Sequence, residues 1–380
     1  MAYSHTRLHP SVVSSAEDAE MVRAAFAISL PKVFGQRRSG AGKAPLNTYT
    51  IPLSTVSRDT SFDSYIHLTV SGAPDQPISL VVDSGNSVPI LPSWSAIMQT
   101  TNWSDTYAIL KNDAIEPWGA PAKLVRGPLE LIATDGSVFT MRDCVFYACT
   151  GNVPGRDQPT ANFGTGCLTR YATLDCWELK PSLACASNYP YSEFDFAPAP
   201  SVLSLTSSLR IETTSALRIS KSIPVGYELF DIVPGVNWMA LTPRSLSIGT
   251  TKTNWPEASR APIAMIDTGG TCAYLSDPDG YVYDKSWPNP SSNPGWASTS
   301  LNCQSTGGAI VIELGDTEKS FTYAIDTIGL SADVRGLSLV MCQNNKFMMG
   351  QYGMNIGGIS AIFVRILIDY KKRRVGLKAK

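Results

Sequence analysis

The sequence predicts an all-β protein of two related lobes with one site between them, on three observations. Short apolar runs, alternating or continuous, recur along the 380 residues and are broken by Gly, Pro, Asp and Asn, while long amphipathic helical patterns are scarce. An Asp-Ser/Thr-Gly triplet occurs twice, as Asp83-Ser84-Gly85 and Asp267-Thr268-Gly269. Each is preceded by an apolar run (Ser79–Val82, Ile263–Ile266) and followed by an Asn-apolar-Gly triplet. Those later triplets are Asn162-Phe163-Gly164 and Asn355-Ile356-Gly357, which end 81 residues after Asp83 and 90 residues after Asp267. One such Asp triplet is a common turn; two in matched settings are an internal repeat.

The elements follow in order. Residues 1–46 read as a polar arm or prosegment-like region, with one short helical possibility near Ala16–Ser29 and a basic cluster, Lys32–Arg38, taken as solvated. Strand patterns begin at Thr48–Leu53 and continue at Tyr65–Val70, whose alternation suits a half-buried strand. A turn with Gly72, Pro74 and Asp75 leads to Ile78–Val82 in the manner of a hairpin. Further runs lie at Leu129–Ala133, Val138–Met141 and Val145–Ala148. The Pro-rich stretch Tyr189–Pro200 reads as a linker or surface loop, which divides an N-terminal lobe, 47–200, from a C-terminal lobe, 201–380. Ser286–Ser298 reads as a long loop within the second.

Composition narrows the function classes. Hydrophobic residues make up 43% and charged residues 17%, as expected of a well-buried globular chain. Lys+Arg 31 against Asp+Glu 32 leaves a formal charge of -1, with no basic footprint for nucleic acid. No apolar stretch approaches the roughly 18 residues of a membrane helix, and the N-terminal stretch MAYSHTRLHPSVVSSAEDAE lacks the basic-then-apolar pattern of a secretory leader. A cytoplasmic monomer is therefore expected, with secretion open if a leader was removed; Asn102-Trp103-Ser104 is a weak glycosylation signal in that direction. The eight cysteines show no CxxC spacing, so no metal and no cofactor are expected. One bridge between Cys303 and Cys342 is conceivable, and buried thiols are the plainer reading for Cys144, Cys149, Cys167, Cys176 and Cys185.

The triplets carry acid/base chemistry. An apolar strand delivers each Asp to the lobe interface, and Gly85 and Gly269 permit the loops to approach closely. The Ser84 and Thr268 hydroxyls are placed to bond across to the opposite loop. Two carboxylates so close share one proton: the ionised one acts as base on a water while the protonated one polarises a carbonyl.

These segments resemble the pepsin-like aspartic proteases. SYIHLTVSGAPDQPISLVVDSGNSVPILPS is similar to that family's first catalytic segment, and APIAMIDTGGTCAYLS to its second. MNIGGISAIFVRILIDYKKRRVGLK resembles its closing segment, through Asp369 to Val375-Gly376-Leu377, and the 184 residues from Asp83 to Asp267 are a usual separation. The resemblance spans residues 47–377. It implies a bilobal pepsin-like acid protease fold, an aspartic endopeptidase activity, and Asp83 and Asp267 as the catalytic pair.

Departures from the family pattern bear on that activity. Asn86 stands where the first triplet is usually followed by a hydroxyl residue, and Gly270 where the second is. Loss of that hydroxyl at 270 removes a charge-assisted hydrogen bond, roughly 1.5–3 kcal/mol if buried. Gly358 replaces an acidic residue usual near the closing element. The hairpin that covers the cleft has no Tyr-Gly here; Glu116-Pro117-Trp118-Gly119 occupies the region. Trp118 is either a stand-in, its indole N–H donating where the phenol would, or an ordinary packed aromatic. A second function therefore stands beside the first: a repurposed enzyme using the dyad as general acid and base on a small molecule, in a dehydration or cyclisation of natural-product biosynthesis. A third is an inactive binding protein on the same scaffold.

Overall fold

A computed structural model describes residues 47–58, 61–71, 77–86, 88–100, 102–155, 162–164, 188–196, 215–234, 239–248, 251–254, 263–269, 273–276, 298–302, 309–315, 318–326, 338–343, 353–356 and 363–380. Within them the protein is mostly β-strand. The first half supplies β1 (Thr48–Arg58), β2 (Ser61–Val70), β3 (Ile78–Asp83), β4 (Ile90–Leu91), β5 (Ala108–Ile115), β6 (Pro121–Ile132), β7 (Val138–Cys149) and β8 (Asn162–Gly164). Two one-turn helices, α1 (Ser95–Met98) and α2 (Trp103–Thr106), lie between β4 and β5.

The rest of the chain adds β9 (Tyr191–Asp195), β10 (Ala216–Ser220), β11 (Glu228–Asp231), β12 (Ala240–Leu241), β13 (Pro243–Ile248), β14 (Thr251–Asn254), β15 (Ile263–Ile266) and β16 (Ala273–Ser276). It continues with β17 (Ser298–Asn302), β18 (Ala309–Gly315), β19 (Ser320–Asp326), β20 (Ser338–Gln343), β21 (Gly353–Ile356), β22 (Val364–Asp369) and β23 (Arg374–Ala379).

The strand that ends at each Asp triplet has the same surroundings in both halves. β3 lies parallel to β8, with Val81 opposite Asn162 and Asp83 opposite Gly164. β15 lies parallel to β21, with Met265 opposite Asn355 and Ile266 opposite Ile356. Each Asn is thus in register two residues before its aspartate. Outward from there the sense of pairing repeats. β8 meets β4 antiparallel and β4 meets β7 parallel; β21 meets β16 antiparallel and β16 meets β20 parallel. The two six-strand orders, β2-β3-β8-β4-β7-β6 and β12-β15-β21-β16-β20-β17, are one plan used twice. β13, β14, β18 and β19 form a separate four-stranded sheet.

A further run of six antiparallel strands, β11-β23-β22-β9-β10-β1, draws on both sides of residue 200. Its inner face buries Ile51, Phe194, Leu217, Ile219, Ile366 and Ile368, in a continuous apolar core that also takes in Leu80, Val82, Ala264 and Ile266. Burial of these side chains is worth roughly 1.5–3 kcal/mol each and holds the two triplet-bearing strands to a common base. The sharp β22–β23 turn is fixed by Asp369, wholly buried, which accepts from Arg374 at 2.7 Å and from the Lys372 amide at 2.9 Å.

Three sequence expectations are corrected here. Tyr191–Asp195, read as part of a linker, is a strand near the centre of this sheet; Phe194 and Ser192 face inward while Glu193 and Asp195 meet cations on the other face. Val138–Met141 and Val145–Ala148 are one strand: β7 continues through the polar residues 142–143, which sit at a register shift opposite Gly127–Leu129, and pairs with β6 on both sides of it. Leu129–Ile132 is the end of the long β6, with Ala133 just beyond it. The arm 1–46, the loop 286–297 and Cys167, Cys176, Cys185 and Cys303 lie outside the described residues.

Candidate functional site

The two triplets meet in a reciprocal clasp. The Ser84 amide donates to Thr268 Oγ1 at 3.0 Å, and the Thr268 amide donates to Ser84 Oγ at 2.9 Å. Each hydroxyl donates in turn to the strand that leads into the opposite triplet: Ser84 Oγ to the Ile266 carbonyl at 2.7 Å, and Thr268 Oγ1 to the Val82 carbonyl at 2.8 Å. Ser84 and Thr268 are 1% and 3% exposed, so these four bonds operate away from water, where an unmade bond would be costly.

The clasp brings the carboxylates to each other's loops. A Cβ placed on Gly85 would lie 2.6 Å from Asp267 Oδ1, and one on Gly269 would lie 2.4 Å from Asp83 Cγ. Any side chain at either position would overlap the facing carboxylate, so these two glycines are required by close approach. Each aspartate also accepts an amide from its own loop: Gly85 N–H to Asp83 Oδ1 at 2.7 Å, and Gly269 N–H to Asp267 Oδ1 at 3.0 Å. Asp83 is buried and Asp267 half-buried. The arrangement is two carboxylates, each against the glycine of the opposite triplet and each bonded to an amide of its own loop, one of them more open to solvent.

Asn86, buried beside this loop, donates from Nδ2 to the Val88 carbonyl at 3.0 Å and so ties the loop forward along the chain. Val88 packs in a small separate apolar cluster with Ala114, Ala120, Ala122, Tyr147 and Val153. Three of these, Ala114, Ala120 and Ala122, flank the tip of the β5–β6 hairpin, so the Asp83 loop and the hairpin share a footing. Trp118 at the tip is 39% exposed, and Gly119 adopts a left-handed φ of 98°. Trp118 thus lies outside the buried core.

Sequence reasoning missed Glu116. This residue is 1% exposed, and its carboxylate accepts the Trp118 and Ala120 amides, each at 2.8 Å. The only signal was its place ahead of Pro-Trp-Gly, where a side-chain acceptor can cap a turn. At the hairpin's base, Tyr107 donates to the Pro128 carbonyl and accepts the Ser71 amide, and its ring lies where a side chain on Gly127 would be. Burial raises the Tyr107 hydroxyl above its ordinary pKa.

Behind the Asp83 strand, His67 of β2 is bonded through Nε2 to Ser54 Oγ at 3.1 Å and through Nδ1 to Ser79 Oγ at 2.9 Å. It links β1, β2 and β3. Burial pushes its pKa down to about 4, so the ring stays neutral, one nitrogen donating and the other accepting.

No model of a known family matches this chain, and no curated protein does. The assignment of chemistry therefore rests on the residues themselves. Among the described residues no group of three or more His, Cys, Asp or Glu could hold a metal ion, and no helix is long and apolar enough to cross a membrane. Gly270, Gly357 and Gly358 lie outside the described residues.

Proposed function

We propose that this chain is an aspartic endopeptidase of the pepsin-like bilobal fold, with Asp83 and Asp267 as its catalytic pair. The observation that carries the reading is the reciprocal clasp of Ser84 and Thr268, which sets a carboxylate against the backbone of each opposing triplet. The duplicated strand order around the two triplets supports two related lobes.

The chemistry follows from the pair. The ionised carboxylate takes a proton from a water as its oxygen attacks the peptide carbonyl carbon, while the protonated carboxyl gives its proton to the carbonyl oxygen. The tetrahedral intermediate then collapses: a proton passes to the amide nitrogen and the C–N bond breaks. Gly85 and Gly269 amides fix one oxygen of each acid, which keeps the outward oxygens aligned for water and substrate.

The test is cleavage of a fluorogenic peptide library across pH 3–7, with Asp83→Asn and Asp267→Asn as controls and a statine-type inhibitor as probe. Cleavage that each substitution abolishes supports the reading; folded wild-type protein that cleaves nothing and ignores the inhibitor overturns it. A second reading, the same pair acting as acid and base on a small molecule, is favoured by Gly270 and by Trp118 in place of a phenol at the hairpin tip. Its mark is a silent peptide assay together with loss of a host metabolite in the same two variants.

A further inference from the structure

The tip of the β5–β6 hairpin carries a buried acid that the dyad chemistry does not use. A carboxylate is costly to bury unless its oxygens are bonded. Glu116 Oε2 accepts the Trp118 amide and Oε1 the Ala120 amide, both at 2.8 Å. The main chain closes the same ring: the Glu116 amide donates to the Ala120 carbonyl at 3.0 Å and the Gly119 amide to the Glu116 carbonyl at 2.9 Å. Pro117 has no N–H, so every amide donor from 116 to 120 is taken, two of them by this one side chain.

The Trp118 side chain is exposed, so its direction is inherited from a backbone that Glu116 holds. Ala114, Ala120 and Ala122 carry that backbone down to Val88, whose carbonyl holds Asn86, three residues beyond Asp83. We propose that Glu116 is a positioning residue, whose carboxylate keeps the hairpin tip and Trp118 in one orientation relative to the loop of Asp83. What the tip serves rests on the aspartic-dyad reading; how the tip is held does not.

The chemistry requires a carboxylate. Gln at 116 offers one acceptor and turns an NH2 toward the other amide. Asp is shorter by one methylene and cannot reach both.

The experiment compares wild type, Glu116→Gln and Glu116→Asp in the full chain. Amide hydrogen exchange is followed over peptides covering 108–149, alongside kcat and KM on a cleaved peptide and the melting temperature. In Glu116→Gln, exchange at Trp118 and Ala120 is expected to speed by about tenfold or more, the loss of one charge-assisted bond, with β7 unchanged. A fall of about tenfold in kcat at little change in KM is expected with it. Glu116→Asp is expected to fall between the two and carries the test if Gln does not fold. Unchanged exchange at the tip overturns the proposal, as does faster exchange with kcat intact or a lower melting temperature alone. The two readings fail separately. Peptide cleavage without tip loosening leaves the endopeptidase reading and sinks the role of Glu116, whereas tip loosening in a protein silent on peptides sinks the endopeptidase reading and leaves that role.

Discussion

Replacing Ser84 by Ala and Thr268 by Val, singly and together, tests whether the clasp holds the two triplets in register. Ser84→Ala deletes a hydroxyl that accepts the Thr268 amide and donates to the Ile266 carbonyl. It leaves one buried N–H and one buried C=O without that partner. Thr268→Val keeps the side-chain shape and deletes the mirror-image pair, the Ser84 amide and the Val82 carbonyl. Each orphaned group costs about 1–3 kcal/mol, and local relaxation recovers part of it, so each single variant should lose about 2–4 kcal/mol. The side chains bond to backbone rather than to each other. They couple because loss of one lets the loops part and weakens the other, so the double variant should lose less than the sum. Urea denaturation reads this, with the slope unchanged if the native contacts alone differ. Losses under about 0.5 kcal/mol each, adding without coupling, would refute an interlocked pair of loops.

Other outcomes follow from single features. Gly269→Ala puts a Cβ 2.4 Å from Asp83 Cγ and must push the carboxylate or its loop by about 1 Å, so turnover should fall about 100-fold while the protein still folds; wild-type turnover would deny the close approach. For His67 the folded pKa of about 4 lies below the usual 6.5, so its contribution is complete above pH 6.5 and is lost as pH falls toward 4. The full difference is worth about 3 kcal/mol, trimmed to about 2 by partial exposure, and stability of His67→Gln measured between pH 4 and 7 should lack that component. Asp369→Asn weakens a buried pair with Arg374 at the β22–β23 turn and should cost about 3 kcal/mol in thermal unfolding.

Much of this was legible in the sequence because it rests on repetition. Asn162 and Asn355 could be paired with the two triplets by spacing alone, and the matching registers beside Val81 and Met265 give that spacing a shape. The strand at Tyr191–Asp195 was hidden because prolines flank it and its outward residues are acidic. Its acids are matched by Arg218, Arg365 and Lys380, all outside the local segment, which no local pattern reveals. Burial opposes ionisation of Asp195, yet Lys380, Arg365 and Arg218 together hold its carboxyl below the usual range. Glu116 was illegible for a similar reason: a lone acid in a turn reads as solvated until the packing of Ala114, Ala120 and Val88 around the tip is known. Asn86 was read against a missing hydroxyl, whereas its amide bonds onward to Val88.

The six-stranded run also sets when the chain can finish folding. β22 lies between β9 and β23, and among the described residues β23 alone links β11 to the rest. Until residues 364–379 emerge from the ribosome, β9 has an open edge, β11 has no partner in that sheet, and the apolar side chains of Phe194 and Leu217 lack their cover from Ile366 and Ile368. The earlier strands can pair locally, but the common base must wait for residues 364–379, with an unpaired edge exposed meanwhile. A chain cut short at residue 363 should therefore behave as an aggregation-prone intermediate rather than as a folded protein lacking two strands.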